Sequence, residues 1–128
     1  MQQTTHAPPS AISWFYIPAA DFERAVRFYE NIMETKLHVH PFGSDSIGVF
    51  SHDTDTGVGG CVTSGGTPSP AGVLIYLNVD QRLDRTLERV APAGGRIVLA
   101  KFTLPEGQGD VAEIVDTEGN RIGLHAKA

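Results

Sequence analysis

Twice in this chain a run of aromatic and β-branched residues is followed by an aspartate, and then by apolar residues at helical spacing. Residues 12–17, Ile-Ser-Trp-Phe-Tyr-Ile, read as a strand ended by Pro18, after which Asp21 offers an N-cap. Phe22, Ala25, Val26, Tyr29, Ile32 and Met33 then recur with the period of one helix face, while Glu23, Arg24, Arg27 and Glu30 form the solvated side. Short strands are expected at Lys36–His40 and Ser46–Ser51 around a Gly43-Ser44-Asp45 turn, and at Val58–Thr63. Gly65-Gly66-Thr67-Pro68-Ser69-Pro70 is the most linker-like segment, and beyond it the pattern restarts. Residues 72–79 predict a strand, Asp80 a cap, and Leu83, Leu87 and Val90 a helix face stopped by Pro92 and Gly94-Gly95. Strands at Arg96–Leu99, Asp110–Val115 and Asn120–His125 complete the second half, with a Pro105-Glu106-Gly107 turn after the first of them.

The order strand, helix, three strands, repeated with almost no residue identity, predicts an α+β chain of two βαβββ modules forming curved mixed sheets around a groove. The modules span about 11–64 and 72–127 within one domain, 11–128, joined by a linker at 65–71. Residues 1–10 are expected to be a flexible tail, so His6 is given no role. At 128 residues the chain is long enough for one ordinary core. Open curved sheets leave edges and apolar surface, which predicts a homodimer.

Composition narrows the function. A net charge of −5 with only 10 Lys and Arg argues against a nucleic-acid surface and makes a small or cationic ligand easier to accommodate. One cysteine, Cys61, permits no internal disulfide and suits a reducing cytoplasm. No run has the length of a membrane span, and the first residues lack the basic start and apolar centre of a signal peptide. Gly57-Val58-Gly59-Gly60 opens no capped helix and lacks Lys-Ser/Thr, so both nucleotide fingerprints fail.

Strand alternation sorts the site. Phe15, Ile17, Ile75, Leu77, Ile122 and Leu124 go under the helices. Trp14, Tyr16, Leu74, Tyr76, Asn78, Arg121, Gly123 and His125 go to the other face, where aromatic rings around bare glycines suit a flat or amphipathic small molecule. Trp14 and Tyr76 as simple fillers of the concavity are the plainer alternative. Glu113, between Val111 and Val115, is aimed at the same face, and a desolvated carboxylate there suits general acid or base work. An exposed edge or an ion pair with Arg121 explains it equally well. His125 is a candidate ligand contact or proton shuttle, its alternative a rim histidine satisfied by water or backbone. His38 and His40 share a strand face with His52 near in sequence, which raises a displaced metal site as an alternative, though two histidines with no proven third ligand are weak evidence for it. Cys61 has no adjacent base and reads as a buried inert thiol.

Two such modules in this length, with Asp21-Phe22-Glu23-Arg24-Ala25-Val26-x-Phe28-Tyr29 opening the first and Asp116-x-Glu118-Gly119-Asn120-x-Ile122 closing the second, resemble the vicinal oxygen chelate superfamily. That group includes glyoxalase I, extradiol dioxygenases, fosfomycin resistance enzymes and bleomycin resistance proteins. Val73–Val79, Gly94-Gly95 and the Gly-Leu-His ending most resemble small bacterial relatives of lactoylglutathione lyase. The resemblance implies that enzyme members hold a divalent metal on the groove face through His, Glu or Gln. Counting from Asp21, Asp80 and Gly119 puts Trp14, Leu74 and Gly123 at three of those positions, and Gly60 near the fourth. None supplies a side-chain ligand, so no metal and no cofactor are expected, and metal-dependent glyoxalase or dioxygenase activity is disfavoured. The resemblance also puts Glu113 where ring-cleaving members carry an active-site tyrosine. The expected function is small-molecule binding of the bleomycin-resistance kind in a groove lined by Trp14, Tyr16, Gly60, Leu74, Tyr76, Asn78, Gly123 and His125. The alternative is a lyase or isomerase using Glu113, Tyr76 or His125 as acid or base, and a third reading is a relic with a structural or regulatory role.

Overall fold

A computed structural model describes residues 10–128. The expected tail therefore lies outside the described residues except for Ser10, which is exposed, and His6 lies outside them as well. The elements run β1 (Trp14–Pro18), α1 (Phe22–Met33), β2 (His38–Phe42), β3 (Asp45–Val49), β4 (Gly59–Thr63), β5 (Tyr76–Asn78), α2 (Leu83–Val90), β6 (Arg96–Thr103), β7 (Asp110–Val115) and β8 (Arg121–Ala126). The fold is α+β, with two four-stranded mixed sheets ordered β1-β4-β3-β2 and β5-β8-β7-β6. In each sheet the strand before the helix pairs in parallel with the last strand of its module, and the remaining pairs are antiparallel. No helix among the described residues is long and apolar enough to cross a membrane.

Asp21 caps α1 as its sequence suggests, its carboxylate accepting from the Arg24 amide at 3.1 Å. Asp80 does not cap α2. Gln81 takes a left-handed φ of 64°, α2 begins beyond Arg82 without a side-chain cap, and Asp80 instead accepts from the Lys127 amide at 2.7 Å. The fifth strand is shorter than the 72–79 run suggests, because Val73 is 92% exposed and makes no strand pairing. The sixth is longer, since two register shifts against β7 interrupt its alternation and conceal residues 100–103 as strand.

The helices and the inward faces of both sheets share one core, with Ile17 and Val62 from the first sheet, Leu77, Ile114, Ile122 and Leu124 from the second, and Ala25, Phe28, Tyr29 and Ile32 from α1. Polar bonds lock the modules across it. The buried Asp116 carboxylate accepts from the Tyr29 hydroxyl at 2.5 Å, and from the Glu118 and Asn120 amides at 2.8 and 2.9 Å. Glu118 pairs with Arg24 at 2.8 Å and accepts from the Asp21 amide at 2.7 Å. Burial pushes the Glu118 carboxyl up, but the bonds from Arg24, the Asp21 amide and Thr117 outweigh it and hold it at about 2. Burial, then the neighbouring Asp116 charge, push the Tyr29 phenol well above its usual range, so it stays a donor.

Candidate functional site

Because the inward faces fill the core, the opposite face of each sheet is left to solvent. In the first sheet that face carries Trp14 and Tyr16, 41% and 53% exposed. Residues paired across strands share a face, so the register Trp14 to Gly59 and Tyr16 to Cys61 puts Gly59 and Cys61 beside them. Gly60 pairs with Phe15 and faces the core, where a Cβ would stand 2.2 Å from the Phe15 ring. Gly60 is therefore not on the groove face, contrary to the count from sequence. The inter-module cleft that Gly60 and Phe15 border lies on the core side of the sheet.

Equivalence between the modules makes the same point. The Ala19 amide bonds the Thr63 carbonyl as the Val79 amide bonds that of His125, so Tyr16 corresponds to Tyr76 and Cys61 to Gly123. The four positions at which the family resemblance implies metal ligands thus hold Trp14, Cys61, Leu74 and Gly123. Cys61 is fully buried, and that burial pushes its thiol up against a smaller opposing pull from Trp14. Leu74 is half-buried and precedes β5 rather than lying in it.

The second sheet gathers most of the expected residues. Tyr76 pairs with Gly123, Asn78 with His125, and Gly123 in turn with Glu113. The Tyr76 ring lies flat over Gly123, where a Cβ would meet it at 2.3 Å, so only a bare backbone admits the ring. The Tyr76 hydroxyl donates to Glu113 Oε2 at 3.2 Å, and Arg121 Nε donates to Glu113 Oε1 at 2.7 Å with its Nη2 on the same oxygen. Glu113 is thereby buried with both oxygens engaged, which is the ion-pair alternative considered for it. Burial, then the Glu113 charge, push the Tyr76 phenol above its ordinary range. His125 bonds the Gln108 carbonyl through Nε2 at 2.7 Å, tying the Pro105–Gly107 turn to β8. Asn78 lies at the end of this face, its Oδ1 accepting from the Asp80 amide at 2.8 Å.

The histidines do not assemble a centre. His38 and His40 lie on edge strand β2, while His52 stands edge-on to Trp14 with its Nδ1 2.9 Å from the Phe50 carbonyl. Among the described residues no group of three or more His, Cys, Asp or Glu side chains could hold a metal ion. One site residue was missed from sequence. Arg96 stands opposite Val115, which stands opposite Arg121, so both arginines share the face of Glu113. Only strand register reveals this.

A family model described as Glyoxalase/Bleomycin resistance protein/Dioxygenase superfamily matches residues 11–124. Among solved structures, a glyoxalase/bleomycin resistance protein from Albidiferax ferrireducens T118 superposes with a TM-score of 0.71 at 13% identity, over 93% of this chain and 100% of that one. The genomically encoded fosfomycin resistance protein FosX from Listeria monocytogenes gives 0.66 at 17%, over 93% and 94%. A glyoxalase-related enzyme from Fulvimarina pelagi gives 0.65 at 15%, over 91% and 87%. No curated protein matches. These likenesses are of fold.

Proposed function

Since the chain belongs to the glyoxalase/bleomycin resistance protein/dioxygenase superfamily, we propose that it binds a flat or amphipathic small molecule in an aromatic-lined groove and does so without the divalent metal of the enzyme members. The observation that carries this reading is the make-up of the outward sheet faces. A divalent ion in a protein needs several oxygen, nitrogen or thiolate donors converging on one point. Trp14, Cys61, Leu74 and Gly123 offer one buried thiol, and that donor set does not fit the ion. Aromatic surface stands there instead, from Trp14 itself and from Tyr16 and Tyr76, which pair with Cys61 and Gly123. A ring stacked on such surface gains area burial plus about 0.5–1.5 kcal/mol from aromatic geometry.

A twofold homodimer completes the groove in this proposal. Tyr16 and Phe42 on one sheet face, and Tyr76, Leu99 and Phe102 on the other, are each more than a third exposed. A second copy that set its second module against the first module of its partner would cover both faces.

The rival reading, an acid–base lyase or isomerase, has less support. A general base has to reach its substrate, and Glu113 is buried with an ion pair on one oxygen and the Tyr76 hydroxyl on the other. Tyr76 is a poorer base still, and the His125 Nε2 is held by a backbone carbonyl.

Trp14 is the sole tryptophan, so its emission reports the groove and nothing else. Saturable change in that emission on titration with flat aromatic ligands is expected. Dialysis against zinc, nickel, manganese and iron, followed by elemental analysis and a hemithioacetal assay, should give metal far below one per chain and no turnover. One metal per chain together with turnover would refute the proposal.

A further inference from the structure

Arg96, Val115 and Arg121 stand side by side on β6, β7 and β8. Two strand spacings separate the arginine backbones by about 10 Å, and both side chains leave the sheet on the groove face. Between them lies a cavity of about 400 Å³ whose other lining is Pro70, Val98, Leu99, Glu113 and Val115. Glu113 is the one acid in that lining. Its Oε1 accepts two bonds from Arg121 and its Oε2 one from Tyr76, so most of its acceptor capacity is already engaged. Arg121, its side chain 49% exposed, spends Nε and Nη2 on Glu113 and keeps Nη1. Arg96 is exposed and enters none of the ion pairs found among the described residues. Two positive charges thus face one negative charge, a net of one positive, beside an apolar wall.

We propose that this cavity is an anion subsite, so that the groove selects a small molecule bearing a carboxylate or similar single negative charge on a flat apolar body. The anion sits between Arg96 and the Nη1 of Arg121, and the apolar body lies over Leu99 and Tyr76. The inference rests on the groove-binding reading above and sharpens its ligand class. The net charge of −5 pointed toward a cation, but that sum belongs to the whole surface. Within a Debye length, about 8 Å at physiological salt, the neighbouring groups decide.

Calorimetric titration with three probes of one shape tests it: 2-naphthoate, 2-naphthamide and 2-naphthylmethylammonium. A charge-assisted hydrogen bond at a half-exposed site is worth about tenfold in affinity, so naphthoate should bind about tenfold tighter than the amide. Arg96→Gln should weaken naphthoate more than the amide and bring the preference close to unity, and Arg96→Glu should favour the ammonium probe. Arg96 is exposed and has no ion-pair partner among the described residues, so neither variant threatens the fold. Equal binding of naphthoate and amide, a preference for the ammonium in the unmodified protein, or a preference that survives Arg96→Gln overturns the anion subsite. If Tyr76→Ala still weakens all probes in those cases, the groove reading stands alone. Absence of binding by every probe, or binding indifferent to Tyr76→Ala, overturns both.

Discussion

The packing of Tyr76 over Gly123 makes a prediction whose size follows from the structure. In Gly123→Ala the new methyl would stand 2.3 Å from Tyr76 Cδ2 and 2.4 Å from Cε2, against about 3.5–4.0 Å for relaxed carbon contacts. Ring atoms cannot bend away, so the whole ring has to swing toward solvent by more than 1 Å. The room exists, since Tyr76 is 45% exposed. The swing draws its hydroxyl off Glu113, where it already sits at 3.2 Å. Losing a hydrogen bond to a charged group costs about 1.5–3 kcal/mol when buried, and this one belongs at the lower end. Gly123 lies inside β8 with no left-handed φ, so alanine also returns about 0.5–1 kcal/mol of backbone entropy. The net expectation is a loss of about 1 kcal/mol. In a Tyr76→Ala background the clash is gone, and Gly123→Ala should be neutral or stabilising by about 0.5–1 kcal/mol. Urea unfolding of the four proteins, followed by far-ultraviolet circular dichroism, closes this double-mutant cycle. A coupling energy near zero, with Gly123→Ala equally costly in both backgrounds, would refute the ring-over-glycine arrangement and the assignment of these two residues to one face.

Three further outcomes follow from the same contacts. Glu118 has its carboxyl held at about 2 against an ordinary 4.5, so its contribution is full above about pH 5 and is lost as pH falls toward 2. That shift corresponds to about 3 kcal/mol, and Glu118→Gln should flatten the fall in urea midpoint between pH 6 and pH 3; an unchanged slope would remove Glu118 as its source. Gly60→Ala, which drives a methyl into the Phe15 ring on the core side, should cost about 1–3 kcal/mol and leave naphthoate affinity untouched, whereas weakened binding without lost stability would return Gly60 to the groove. Cys61, buried with its thiol pushed up, should react with a disulfide reagent only at the rate of unfolding, and prompt labelling of the native protein would contradict its burial.

Much of the architecture was legible because its determinants are local. The Asp21 cap, the period of Phe22 to Met33 and the glycine- and proline-rich crossing at 65–70 depend on neighbours a few residues away. What was illegible depended on the partner strand. Gly60 was given to the groove because the irregular 51–58 segment hides where β4 begins, and one residue of register exchanges the two faces. Two register shifts scramble the alternation of β6, so its last residues did not read as strand, and Arg96 was not placed beside Arg121 because only the pairing of three strands brings them together. Glu113 shares the outward face with Arg121 and Tyr76, but sequence alone left its partners open; the three-strand register supplies them.

The two stretches that carry the family resemblance meet in space, and this explains why family and chemistry are so loosely joined here. Asp21, Arg24 and Tyr29 come from one, Asp116, Glu118 and Asn120 from the other, and their bonds fasten the first helix to the last turn. None of these six side chains is on the groove face. They hold the inward core together, and a substitution at Asp116 would strip the Tyr29 hydroxyl of its buried partner at a cost of about 1–3 kcal/mol. The outward-facing residues are under less constraint, because Trp14, Tyr16 and Arg96 project from strands whose backbone pairing is indifferent to what they carry outward. An outward sheet face of this construction tolerates a change of ring or of charge with little effect on the fold, so membership of the family leaves the chemistry of that face open.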